Sequence, residues 1–377
     1  GRAWQPAPVD PIATEPPRRL HPDDYWPTEP ERGGRARWPW VLGVLLVVGI
    51  AVAVAGYYVE LHYYTISPGA ALDTNDLVAI DGATKYEPKG DLLLLFVRQR
   101  ARVNIYEYVR AALDPDVDLL EERDVTGGES PDDVRVASAA DMELAQITAK
   151  RLALERAGYD VPRAREGVVV LGALPSKPAG ALLLADDVIL AADGTPVREF
   201  TDLTDAIASH EPGDRVALDI ARGDQELAIE VPVSVEVDQN GEETRVIGVI
   251  VSPVYDFPID IEIDTGRIGG PSAGLAMTLS VLDELTPGEL TGGASVAVTG
   301  TIAPDGSVGP IGGAGQKAVT ARSVGATLFL VPTDNLDEAN DRAGDLDVVG
   351  VATLDDALDA LEAAGGDPIE RTPRAAA

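Results

Sequence analysis

From Trp38 to Val59 the chain carries no charged residue, and the run WPWVLGVLLVVGIAVAVAGYYV restricts the possible folds more than any other stretch. As a helix it would be roughly 33 Å long, enough to cross a bilayer core of about 30 Å. The run therefore predicts one transmembrane helix over 38–59. Trp38 and Trp40 lie at one end and Tyr57, Tyr58, Tyr63 and Tyr64 at the other, where amphipathic rings favour the headgroup region. Arg32, Arg35 and Arg37 precede the run, and Glu60 is the first charge after it. The positive-inside rule then leaves residues 1–37 in the cytoplasm and sends everything beyond about residue 60 outside, a single-pass arrangement in the cell membrane. A cleaved signal peptide is the rival reading, since Ala53-Val54-Ala55 resembles a small-residue cleavage site. The long preceding tail and the length of the apolar run favour a retained anchor. The tail, rich in proline and charge and without apolar periodicity, is expected to be disordered.

Beyond the anchor, 377 residues leave room for two or three domains, and 45% hydrophobic residues suffice for real cores. A formal net charge of −33 leaves no basic patch for phosphate backbones, so nucleic acid is not among the expected partners. With no cysteine there is no disulfide, no thiolate chemistry and no cysteine-ligated zinc. His21, His62 and His210 are scattered and form no HExxH, so neither a catalytic zinc nor a serine–histidine–aspartate triad is expected. No Gly-Lys dipeptide occurs, which excludes a GxxxxGK[ST] nucleotide loop from the sequence, and no cofactor is expected.

Residues 60–157 read as a membrane-proximal region. Asp91–Val97 is strand-like, and Asp114-Pro115-Asp116-Val117-Asp118 is an acidic loop. That loop lacks the glycine at position six and the glutamate at position twelve that a calcium-binding EF-hand loop needs, and a solvated loop is the simpler reading. Met142, Ala145, Ala149 and Leu152 then recur at helical spacing, with Gly158 as a stop, and predict a structural amphipathic helix.

Over 166–234 short strands alternate with turns around one helix: 167–171, 187–190, the turn Asp193-Gly194, a helix opened by Thr201, then 215–220 and 226–231. Pro178-Ala179-Gly180, Leu182-Leu183, Asp187-Val188-Ile189, Asp193-Gly194-Thr195-Pro196-Val197 and Pro212-Gly213-Asp214 resemble a PDZ domain, placed at 158–235. Ala185 departs from the glycine usual there, and no peptide-binding loop is recognisable. The resemblance implies capture of an extended peptide along a sheet edge. The alternative is a domain that only orients its neighbour.

The chain takes nearly all its positive charge from arginine and has five lysines, of which Lys317 stands alone from residue 178 onward. Arginine stays protonated at any working pH, whereas a desolvated lysine can lose its proton and act as a base. Forty-five residues earlier lies Gly269-Gly270-Pro271-Ser272-Ala273-Gly274, followed by Leu275, Leu279 and Leu282 at helical spacing. Ser272 is thus expected at or beside a helix N-terminus, where free N–H groups could stabilise an oxyanion. Ser272 and Lys317 read as nucleophile and general base.

Residues 267–335 also resemble the proteolytic domain of the Lon family, through the GPSAG stretch, Val298–Ile302, Gly306–Gly313, Lys317 with Ala318 and Ala321, and Gly325-Ala326 leading into Phe329–Pro332. By position the resemblance implies Ser272 as nucleophile, Lys317 as base and Thr299 in support of the lysine. Gly270 and Ala273 are, with Thr299, the candidates for the supporting or oxyanion region. Gly269 departs from the acidic residue frequent in ATP-dependent members. The order of anchor, PDZ-like unit and Lon-type domain resembles the membrane-anchored, PDZ-containing Lon-like peptidases.

The expected architecture is therefore an α/β (α+β) Lon-type proteolytic domain over 236–365, ending in a helix from Thr353 to Ala364, preceded by the PDZ-like domain and one transmembrane helix. A disordered tail over 366–377 follows. The expected function is that of an ATP-independent serine endopeptidase cleaving unfolded or flexible polypeptides outside the cytoplasm, with a PDZ ligand and a homo-oligomeric state. The alternative is a catalytically silent, membrane-tethered PDZ adaptor or signalling platform.

Overall fold

The computed structural model describes residues 38–237, 241–266 and 268–369. The expected tail over 1–37, His21, and residues 370–377 of the expected C-terminal tail lie outside them. Contacts divide the chain into two units, the first ending at Ala55 and the second beginning at Gly56. The apolar run forms α1 (Trp38–Tyr58), a single helix long and apolar enough to cross a membrane, with Leu46 and Val52 among its exposed side chains.

The second unit opens with β1 (Tyr63–Asp73), β2 (Val78–Asp81) and β3 (Asp91–Ala101). Then come α2 (Ile105–Leu113), β4 (Asp118–Glu121), α3 (Glu122–Thr126) and α4 (Pro131–Arg156). The start of α2 is set by a capping box: the Tyr106 and Glu107 N–H groups donate to Asn104 Oδ1, and the Asn104 N–H donates to the Glu107 carboxylate. Ser130 caps α4 and Pro131 opens it, a position where the missing N–H costs nothing. Met142, Ala145, Ala149 and Leu152 are buried as their spacing predicts, and Gly158 takes φ +91° at the stop. In the acidic loop, Asp118 pairs with Arg342 at 2.5 Å.

Next come β5 (Arg163–Ala173), β6 (Val188–Ala192), β7 (Thr195–Pro196), α5 (Phe200–Ala208), β8 (Arg215–Arg222) and β9 (Gln225–Pro232). The hairpin β10 (Ser234–Val237) and β11 (Glu243–Val246) and then β12 (Val249–Tyr255) complete this part. Its sheet runs in the order β12-β5-β6-β8-β9, with β7 against β6, over a core that includes Val168, Leu203, Leu218 and Val251. The helix α5 opens at Glu199 rather than Thr201, because the Asp202 carboxylate reaches back to the N–H groups of Arg198 and Glu199. The unit also reaches past the expected limit at 235: β12 pairs with β5, and Ile247 and Val251 fill the same core.

The remainder comprises β13 (Asp260–Ile263), α6 (Gly274–Leu285), β14 (Ser295–Val298), β15 (Thr301–Ile302), β16 (Val308–Gly309) and α7 (Ala314–Ser323). After these come β17 (Leu328–Pro332), α8 (Leu336–Ala343), β18 (Asp347–Val351) and α9 (Leu354–Ala363). The main sheet runs β18-β17-β14-β3-β1-β4, parallel from β18 to β3 and antiparallel beyond. β3 lies in its middle, which is why Leu92, Leu94 and Leu95, on both faces of one strand, are all buried.

This corrects the expected division of the chain. Residues 60–157 are not a region of their own: β1, β3 and β4 belong to the sheet that carries β14, β17 and β18, β2 pairs with β13, and α4 shares a core with α6. The β5–β12 unit is inserted into this second fold between α4 and β13. Pairings such as Leu94 with Val298 span about two hundred residues, and no local pattern in the sequence announces them.

Candidate active site

Ser272 lies in the short 3₁₀ turn Pro271–Ala273 that runs directly into α6. The approach to it requires glycine. Gly270 has φ +87°, a conformation open to few other residues, and its N–H donates to the Ser138 carbonyl of α4 at 2.8 Å. A Cβ on Gly269 would stand 2.4 Å from Ser138 Oγ, so a side chain there would have to displace the Ser138 hydroxyl. On the other side, the Gly300 N–H and the Thr299 hydroxyl both donate to the Ser272 carbonyl, at 3.0 and 3.2 Å. The Leu275 N–H donates in turn to the Gly300 carbonyl at 3.1 Å. The nucleophile candidate is thus clamped between α4 and the loop after β14.

Lys317 stands on the first turn of α7, which opens at Gly313 with φ +72°. Its side chain is 1% exposed, and its Nζ lies 3.1 Å from Ser272 Oγ and 2.7 Å from Thr299 Oγ1. Burial disfavours the ammonium and lowers its pKa to about 7, against a smaller opposing pull from the Glu338 carboxylate. That carboxylate also accepts the Gly315 N–H at 3.1 Å, tying α8 to the start of α7.

The hydrogen bonds suit a lysine that acts as a base. Thr299 has a single hydroxyl hydrogen, and it goes to the Ser272 carbonyl. Towards Lys317 it can then only accept, so Nζ donates to Thr299 Oγ1; Nζ also lies 3.1 Å from Ser272 Oγ, and once the amine is neutral its lone pair can accept the Ser272 hydroxyl hydrogen. Thr299→Val removes this orientation while keeping the volume. The expected result is a fall in kcat of about 10- to 100-fold with little change in KM. A Thr299→Ser variant that recovers most of the rate would separate orientation from packing, and an unchanged kcat for Thr299→Val would refute the positioning role.

The structure brings Ser272, Lys317 and Thr299 together. The Gly270 N–H is given to Ser138, so of the two roles expected for this residue the geometry suits support of the loop. Ala273 is buried in the turn at the amino end of α6, where the leading N–H groups have no partner within the helix. Of the described histidines, His210 faces Asp193 at 3.6 Å in the β5–β12 unit, and His62 precedes β1. The reading of α4 as a merely structural helix missed Ser138, and nothing in the local sequence could have linked it to a loop 132 positions away. Glu338 was missed for the same reason.

Residues 252–362 match the model of the Lon protease (S16) C-terminal proteolytic domain, and residues 153–233 match that of the PDZ domain. The chain is 32% identical over 137 residues to a Lon protease of Phenylobacterium zucineum, covering 34% of this chain and 17% of that one. It is 31% identical over 107 residues to Lon protease 2 of Bacillus subtilis, covering 28% and 19%. The matched part thus spans less than a fifth of these relatives. The crystal structure of the PDZ domain of an SdrC-like protein from Listeria monocytogenes is 27% identical, covering 24% of this chain and 92% of that one, at a TM-score of 0.21.

Proposed function

We propose that this chain, which carries a PDZ domain and a Lon-type proteolytic domain, is a membrane-anchored serine endopeptidase that uses Ser272 as nucleophile and Lys317 as general base. The observation that carries the reading is a buried lysine, its pKa near 7, with Nζ 3.1 Å from the hydroxyl of a serine at a helix N-terminus. Neutral Lys317 takes the Ser272 proton as Oγ attacks a peptide carbonyl carbon. The protonated lysine then gives that proton to the leaving amine as the C–N bond breaks. Water hydrolyses the resulting acyl-serine, with Lys317 again taking its proton. The Ala273 N–H, in the turn before α6, is the donor for the developing oxyanion, since the N–H groups of Gly274 and Leu275 already serve Pro271 and Gly300.

The sequence holds no GxxxxGK[ST] loop, so substrates are polypeptides already unfolded or flexible, cut without ATP. The PDZ domain captures such a chain by strand addition. β12 is the edge strand of its sheet, pairs among the described residues with β5, and leads through β13 towards Ser272. Arg35 and Arg37 before α1 favour an N-terminus in the cytoplasm and the two domains outside.

The test is cleavage of a labelled, unfolded protein by the full chain in vesicles, without nucleotide, across pH. Only neutral Lys317 can act as the base, so kcat/KM should rise tenfold per pH unit below about 7 and level off above it. A rate independent of pH between about 5 and 8 would exclude Lys317 as the base. Cleavage that appears only with ATP would exclude the nucleotide-free mode.

A further inference from the structure

Of the seven tyrosines between residues 57 and 108, six, Tyr57, Tyr58, Tyr63, Tyr64, Tyr106 and Tyr108, fall in the short segments 57–64 and 106–108. The structure gathers them about the point where the chain leaves the apolar run. A Cβ on Gly56 would stand 3.4 Å from the Tyr106 ring, and the Tyr63 and Tyr108 rings meet edge-on at 5.1 Å. Glu60 bridges to Asn104, the cap of α2, and the Leu61 N–H donates to the Val103 carbonyl at 2.8 Å. The first turn of α2 is therefore held level with the residues that follow the span.

The helix α2 is amphipathic in the reverse sense. Ala111 is its buried residue, while Ile105, Tyr106, Val109 and Leu113, a stripe about 100° wide, are 40%, 49%, 51% and 81% exposed. Four arginines, Arg98, Arg100, Arg102 and Arg110, stand against one glutamate between residues 98 and 110, in a chain of net charge −33. An outward apolar stripe, tyrosines and a local excess of arginine are the composition of a helix lying in a membrane interface. Water alone would select polar residues on that face.

We propose that α2 is a second membrane contact, lying in the headgroup region with Ile105, Tyr106, Val109 and Leu113 turned into the lipid, so that the proteolytic domain is seated on the bilayer surface rather than swinging on a tether. The proposal rests on the reading of α1 as a membrane span. It goes beyond that reading, because a tether alone would not require α2 to touch lipid.

The absence of cysteine allows a direct test. Single-cysteine variants of the full chain, Val109→Cys, Leu113→Cys, Leu46→Cys and Val324→Cys, are labelled with an environment-sensitive dye. They are then reconstituted in phosphatidylglycerol–phosphatidylethanolamine vesicles with and without spin-labelled quencher lipids. Leu46 reports on the span. Val324 precedes β17, at the opposite end of the parallel strands from Ala101, and serves as the aqueous control.

The expected result is a blue shift and loss of emission at residues 46, 109 and 113, and none at 324. Quenching at 46 without quenching at 109 and 113 overturns the proposal and leaves the anchor standing. Probes at 109 and 113 that are unquenched by lipid but crosslink between chains assign the face to a second copy, which also overturns it. Absence of quenching at 46, 109 and 113 alike overturns both readings, with the Leu46 probe identifying the anchor as the failed premise.

Discussion

Ser272→Ala is expected to lower the rate of peptide cleavage by on the order of 10⁵- to 10⁶-fold, with the fold and substrate binding retained. The substitution removes one atom, and among the described residues Oγ takes part in a single hydrogen bond, that with Lys317 Nζ. The turn is held through backbone groups instead, with the Ser272 carbonyl accepting from Gly300 and Thr299 and the Gly270 N–H donating to Ser138. Thermal unfolding should therefore shift little while turnover disappears, and the variant should still hold unfolded substrate. Equal turnover in wild type and Ser272→Ala would end the proposed mechanism. Binding without turnover in both would point to an adaptor whose peptidase fold is silent.

Lys317→Met is expected to have two opposite effects. Catalysis should fall by about 10⁴-fold, because the proton on Ser272 then has no acceptor. Stability should rise. In the unfolded chain the lysine titrates near about 10.4, whereas in the fold burial brings it to about 7, so between those values the unfolded state binds more protons. Folding at pH 7 therefore carries a cost of about 4 kcal/mol, which shrinks as pH rises and disappears above the unfolded pKa.

Methionine removes that cost but loses the bonds to Ser272 and Thr299, leaving a net gain on the order of 2 kcal/mol. Urea unfolding at pH 7 and at pH 10 measures it, with the variant the more stable at pH 7 and the wild type at pH 10, where the protonation cost has nearly gone and only the lost bonds remain. A variant less stable than wild type at both pH values would mean that the lysine is not buried as a neutral amine. Lys317→Arg is expected to lose activity without that gain, since a guanidinium cannot shed its proton.

Much of the local structure is legible along the chain because its causes are local. The helix expected from Thr353 to Ala364 is α9, with the Asp356 N–H donating to Thr353 Oγ1 and Ala364 as its last cap. The turn at Asp193-Gly194 has positive φ at both residues, and the stop at Gly158 likewise needs φ +91°. The strand predicted over Asp91–Val97 is β3, extended to Ala101. What failed was membership. That β3 pairs with both β1 and β14, that β12 belongs to the PDZ sheet, and that the whole PDZ domain interrupts another fold are properties of pairings between distant residues. The same holds within the site, where Ser138 and Glu338 act through bonds to Gly270 and Gly315 that no periodicity marks.

By itself the sequence determined the elements and the chemistry available: an uncharged run long enough for a bilayer, a serine preceded by glycines at a helix start, and a lone lysine capable of losing a proton. It could do so because hydropathy, capping and side-chain type belong to single residues and their near neighbours. Only the tertiary structure decided that Lys317 is dry, that its Nζ lies 3.1 Å from Ser272 Oγ, and that Thr299 is oriented by the Ser272 carbonyl. A lysine's pKa is set by what surrounds it in space. The groups that surround Lys317 come from the turn before α6, the loop after β14 and α8, which only the folded sheet brings to one place.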